Sequence, residues 1–160
     1  LKNSANMAGG IMTTNKDPRI TPMGGFLRKS KINELPQLFN IFFGHMSVVG
    51  PRPVMRVSFE AYPNEVQNVI YNVKPGLTGI GSIIFRDEEE LITEVKNNGG
   101  DLWEFYRGKI YPFKGKLEIW YQNNKSFFLD LKLIFFTAWV ILFPNSKIYN
   151  QQKGLPKRDF

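Results

Sequence analysis

Apolar residues recur at three- and four-residue spacing from Phe26 and Leu27 through Ile32, Leu35, Leu38, Phe39 and Phe42. The spacing predicts an amphipathic helix over residues 31–43, stopped by Gly44. Pro36 either kinks that helix or marks its first turn, with Asn33 as N-cap and Glu34 in the first turn, where acids are favoured. Upstream, Gly9-Gly10, Asp17-Pro18, Pro22 and Gly24-Gly25 interrupt any period, so residues 1–25 read as loop. Downstream, Val48-Val49-Gly50-Pro51-Arg52-Pro53 is a stiff, extended loop that presents its arginine at a fixed angle. Residues 56–72 read as a helix broken or begun at Pro63, and 73–79 as turns. Gly81-Ser-Ile-Ile-Phe85 reads as a short strand.

Asp87-Glu88-Glu89-Glu90 reads as a helix start. Asp87 caps it and Glu90 closes a capping box, a simpler account than metal binding. Asn97-Asn98-Gly99-Gly100 ends that helix, and residues 101–122 are helical in part. Residues 126–143 are the most apolar segment. A bilayer span needs about 20 apolar residues, and the uninterrupted run Leu133–Phe143 has 11. It fits either a buried helix or one lying in the membrane interface, anchored by Trp139 and the basic residues beyond it. The pattern as a whole predicts a helix-rich α+β domain spanning 1–160, with a small sheet near 77–86. Phe42-Phe43 and the 126–143 helix should form an apolar, interfacial face.

Composition narrows the chemistry. The chain has 160 residues, enough for one domain. It has no cysteine and one histidine, which excludes disulfides, a thiolate nucleophile, zinc-thiolate sites and Fe–S clusters. The net charge is +7, concentrated at the ends. Residues 1–31 carry six basic side chains against Asp17, and 144–160 carry four against Asp159. Basic ends around a neutral middle suit an anionic partner: nucleic acid, a phosphorylated substrate or an anionic membrane face. The polar start, Leu1-Lys-Asn-Ser-Ala-Asn6, is no signal peptide, and we expect a piece of a longer protein whose N-terminal portion is missing.

No nucleotide-binding glycine signature, Walker lysine motif or nucleophile elbow occurs. His45 reads as a surface or structural histidine. Two features stand out. Asn33-Glu34 begin a helix behind Arg28, Lys29 and Lys31, and Arg52 is held between prolines. A helix start, clustered basic groups and a pre-set arginine are what a phosphate site needs.

At these residues the chain resembles the bacterial sugar transferase family, the monotopic polyprenyl-phosphate phosphoglycosyl transferases. The blocks that carry the resemblance are Asp17-Pro-Arg-Ile-Thr21, Phe26-Leu-Arg-Lys-Ser-Lys-Ile-Asn-Glu-Leu-Pro-Gln-Leu-Phe-Asn40 and Gly44-His-Met-Ser-Val-Val-Gly-Pro-Arg-Pro53. Val73-Lys-Pro-Gly-Leu-Thr-Gly79 and Trp120-Tyr-Gln-Asn-Asn-Lys-Ser-Phe-Phe-Leu-Asp-Leu-Lys132 follow in order.

The resemblance implies transfer of a sugar 1-phosphate from a nucleotide diphosphate sugar, usually a UDP-sugar, to undecaprenyl phosphate, with release of UMP. That step begins capsule, exopolysaccharide or glycan assembly at the cytoplasmic face of a bacterial inner membrane. It implies Mg2+ as cofactor, with Glu34 as a ligand. It also implies a hydrophobic membrane helix and a basic block upstream, and no nucleic acid partner; a homo-oligomer stays open. The family's Asp-Glu dyad, whose Asp attacks phosphorus, falls on Asn33-Glu34. Here an amide stands where the nucleophilic carboxylate is usual. Three readings follow: Glu34 or another carboxylate attacks, the lipid phosphate attacks directly, or this copy is impaired or differs in its chemistry. His45 stands where the family usually has Asp. Arg28, Arg52 and Arg86 are the implied phosphate and nucleotide contacts. Two alternatives of other classes are a membrane-surface or nucleic-acid-binding module, and an inactive homologue that scaffolds other glycan enzymes.

Overall fold

The computed structural model describes residues 21–29 and 35–160, and for Arg28 and Lys29 only the backbone. Helix α1 is Pro22–Lys29 and α2 is Leu35–Phe42. Pro36 is the second described residue of α2. Gly44 ends α2 at φ +75°, a left-handed conformation that favours glycine, and His45 N–H bonds back to the Asn40 carbonyl at 2.8 Å. Residues 31–34 of the predicted 31–43 helix, including Asn33 and Glu34, lie outside the described residues, and Phe43 falls in the turn after α2.

Strand β1, Ser47–Val49, pairs in parallel with β2, Gly76–Thr78, with Ser47 opposite Gly76 and Val49 opposite Thr78. The crossover between them carries α3 (Arg56–Glu60) and α4 (Asn64–Val69), with the break at Pro63 where the sequence places it. The two glycine-rich loops meet backbone to backbone. A Cβ on Gly79 would stand 2.3 Å from the Gly50 carbonyl oxygen, and one on Gly76 2.1 Å from the Gly50 nitrogen. Glycine is required at this contact for space.

The strand expected at Gly81–Phe85 is a helix instead: α5, Ile80–Ile84. Ile80, Gly81, Ile83 and Ile84 are all buried and only Ser82 is partly exposed, so the segment has almost no polar face to produce a readable period. Helix α6 is Glu88–Asn97, α7 is Leu102–Phe105, a π-helical turn covers Tyr106–Ile110, α8 is Tyr111–Asn124 and α9 is Phe127–Leu142. A 3-10 turn follows at Ile148–Gln151.

Helices α8 and α9 are the spine. Ile110, Leu117 and Leu133 are fully buried, and α5 packs against both helices. Gly115 lets α4 approach α8, since a Cβ there would lie 2.5 Å from Val66 Cγ2. The corner between α8 and α9 is fixed by Ser126, which accepts from the Leu129 N–H, and by Tyr121, whose hydroxyl donates to Asp130 at 2.8 Å. The fold is a helix-rich α+β domain with a small two-stranded sheet.

Helix α9 has two characters. Leu129, Leu133, Phe136 and Val140 face the core, while Phe128 (81% exposed), Phe135 and Leu142 face outward. The buried-helix reading holds for one side of α9; its other side is apolar and exposed. Helix α2 adds exposed Leu38, Phe39 and Phe42, with Phe43 just beyond. Among the described residues no helix is long and apolar enough to cross a membrane.

Candidate active site

The sheet brings the loop after β1 against the loop after β2, and both open onto a cavity of about 770 Å³. Arg52 enters from the first loop and Arg86 from the turn between α5 and α6. Both are exposed along the open wall. Two of the basic residues that the sequence nominated, far apart in the chain, thus line one site. Arg28 lies on the backbone of α1, and its side chain falls outside what is described. Asn33 and Glu34 lie outside the described residues.

Helix α8 adds two residues that sequence reasoning missed. Lys114 donates to both carboxylate oxygens of Glu88 at 2.8 Å, and the Tyr106 hydroxyl donates to the same carboxylate at 2.7 Å. The Lys114 ammonium also stands 4.9 Å from the centre of the Phe85 ring. One turn further on, Glu118 is 6% exposed and lines the cavity beside Gly81. A Cβ on Gly81 would come within 3.0 Å of Glu118 Oε1. Burial pushes the Glu118 carboxyl up to about 7, and nearby Lys114 only partly opposes this. Among the described residues no ion pair holds it, because Lys114 is engaged by Glu88. The readable signal was an acid among Leu117, Ile119 and Tyr121, on a helix face otherwise committed to the core.

The acidic run is a second correction. Asp87 occupies the N-cap position of α6, but its carboxylate makes no capping bond. It takes a two-pronged ion pair from Arg158, with Nη1 donating to Oδ1 at 2.7 Å and Nη2 donating to Oδ2. That pair holds the Asp87 carboxyl below its ordinary range. A distant guanidinium outcompetes the local N–H groups because a charged fork binds a carboxylate more strongly than backbone amides do. His45 is exposed beside Phe43, with ring centres 6.5 Å apart, in keeping with a surface role.

The far wall of the cavity belongs to α9. Ile134, Thr137 and Ile141 line it, and Ile134 and Ile141 are exposed as well. One opening therefore touches two arginines on one side and an exposed apolar helix on the other. Among the described residues no three His, Cys, Asp or Glu side chains gather as a metal site. The described residues alone thus do not form a Mg2+ cage.

A profile of the bacterial sugar transferase family matches residues 1–144, and the chain belongs to that family. It is 35% identical over 126 residues to a UDP-galactose-lipid carrier transferase of Erwinia amylovora, covering 79% of this chain and 22% of that protein. It is 35% identical over 132 residues to the UDP-glucose:undecaprenyl-phosphate glucose-1-phosphate transferase of Klebsiella pneumoniae, covering 81% and 25%. It is 38% identical over 122 residues to the exopolysaccharide production protein ExoY of Rhizobium meliloti, covering 76% and 44%. The chain therefore spans less than half the length of each of these relatives.

Proposed function

We propose that this chain carries the catalytic core of a phosphoglycosyl transferase. It moves a sugar 1-phosphate from a UDP-sugar to undecaprenyl phosphate at the cytoplasmic face of the inner membrane. The observation that carries this reading is the shared cavity of Arg52 and Arg86, walled on its other side by exposed apolar residues of α9. A donor diphosphate needs cations placed before it arrives, and arginine forks suit phosphate oxygens. A polyprenyl acceptor needs its phosphate among cations and its tail on an apolar surface. One opening offers both.

In the reaction, the bond between the β-phosphorus and the oxygen bridging to the α-phosphate breaks. UMP leaves with that oxygen, and the sugar-bearing phosphorus ends bonded to an oxygen of the lipid phosphate. Charge grows on the leaving oxygen and on the transferring group. Arg52 and Arg86 lower the barrier to the extent that they bind those charges more tightly in the transition state than in the ground state. Chains named as UDP-sugar and undecaprenyl-phosphate transferases among the relatives support the substrate class. We assign Glu34 as an essential carboxylate and Mg2+ ligand, on the resemblance of its motif.

The test is UMP release by the full-length protein, given undecaprenyl phosphate, Mg2+ and a panel of UDP-sugars. Release that needs the lipid phosphate, and that Glu34→Gln or chelation abolishes, supports the proposal. Absence of UMP with every donor contradicts it.

A further inference from the structure

We propose that Arg158 is a positioning residue for Arg86: segment 147–160 straps down the turn that delivers Arg86 to the cavity. This rests on the reading of Arg86 as a donor contact. The turn runs from Phe85, which closes α5, to Glu88, which opens α6. Arg86 lies within it and lines the cavity, while its neighbours are pinned from outside. Asp87 is gripped by the Arg158 fork. Glu88 is gripped by Lys114 and Tyr106.

Phe85 is 4% exposed, and the Arg158 guanidinium stands 5.6 Å from its ring centre. Phe160 packs on the same cluster, with ring centres 5.8 Å from Phe113, 6.1 Å from Phe105 and 6.4 Å from Phe85. The Arg158 side chain is 16% exposed and that of Asp87 39%, so the pair is only partly sheltered from solvent screening.

The strap lies beyond residue 144, where the family match ends. It braces a site built by matched residues. Binding a diphosphate must order the turn that carries Arg86, and fixing the backbone on both sides beforehand reduces that cost. Packing alone would explain Phe160. A bidentate ion pair on the residue next to Arg86 places the constraint at the turn itself.

The experiment is a double-mutant cycle on the full-length protein, read as the dissociation constant of UDP. Arg158→Met keeps the apolar stem on Phe85 and removes the fork. We expect Arg86→Ala to weaken UDP by about tenfold or more, and Arg158→Met by about three- to tenfold, the range of directly coupled residues. In the Arg86→Ala background, Arg158→Met should then cause no further loss. Arg158→Lys should fall between Met and the natural residue. If Arg158→Met does not fold, Asp87→Asn carries the same cycle.

Loss of UDP affinity on Arg86→Ala with no effect of Arg158→Met overturns the strap and leaves the donor reading standing. So does an equal effect of Arg158→Met in both backgrounds, since that is a merely structural role. Unchanged UDP affinity in Arg86→Ala overturns the donor reading itself, and the strap with it.

Discussion

Thr78 on β2 and Thr137 on α9 meet hydroxyl to hydroxyl at 2.7 Å. Thr137 also donates to the Leu133 carbonyl at 2.8 Å, so its single proton is committed and Thr78 is the donor between them. This relay ties the sheet that carries the arginine loop to the helix that carries the exposed apolar face. Thr137→Val keeps the volume and removes the acceptor. We expect a loss of about 1–2 kcal/mol in the thermal unfolding of the purified protein, and near-natural stability for Thr137→Ser. Equal stability of the Val and Ser variants would show that the relay is incidental.

Glu118 gives a pH dependence. Its folded pKa is raised from 4.5 to about 7 by burial, so the folded state keeps the proton to higher pH than the unfolded chain does. Stability from this group is therefore full below about pH 4.5, falls as pH rises to about 7, and is flat above. Glu118→Gln removes the titration. At pH 8 it should be more stable than the natural protein by up to about 3 kcal/mol, with the gap closing toward pH 5. A variant equally destabilised at both pH values would mean that the carboxylate is stabilised by a partner.

The contact between Gly79 and Gly50 leaves no room for a methyl group. Gly79→Ala should cost more than about 3 kcal/mol, among the larger effects of a single substitution. Gly108→Ala is the contrast: a Cβ there meets nothing within 4 Å, and its helical backbone should gain about 0.5–1 kcal/mol. Chemical denaturation of both variants tests this directly. Similar values for the two would refute the packing argument.

Asn33 stands where the family dyad usually supplies a carboxylate. The neighbouring blocks are nearly complete, with His45 the other departure, and asparagine is a good helix N-cap. Asn33→Asp should therefore change turnover of the full-length protein only modestly, or lower it by repelling the diphosphate. A gain of orders of magnitude, with a phosphosugar adduct trapped on the new carboxylate, would show instead that the natural chain has lost covalent catalysis.

The sequence revealed the parts of this fold whose signals are local. Gly44 as a helix stop and Pro63 as a break act through nearest neighbours, and the structure places both as expected. The 80–84 segment was misread because burial on nearly every side erases the alternation that separates strand from helix. Asp87 was misread because its partner, Arg158, is remote in sequence, and no spacing rule reaches that far. In the candidate site, motifs nominate Arg52 and Arg86, and the structure brings both to one cavity. Lys114 and Glu118 were missed because charges on a core-facing helix acquire meaning only when the cavity beside them is known.

The most direct measurement is transfer from a UDP-sugar labelled in the β-phosphate to undecaprenyl phosphate by the full-length protein, compared with Arg52→Ala and Arg86→Ala. The label should appear in the lipid fraction as UMP is released, and each substitution should lower kcat/KM for the donor by about a hundredfold, roughly 2.7 kcal/mol of transition-state binding. Label that never reaches the lipid, or full transfer rates in both arginine variants, would contradict the assignment of this cavity as the donor site.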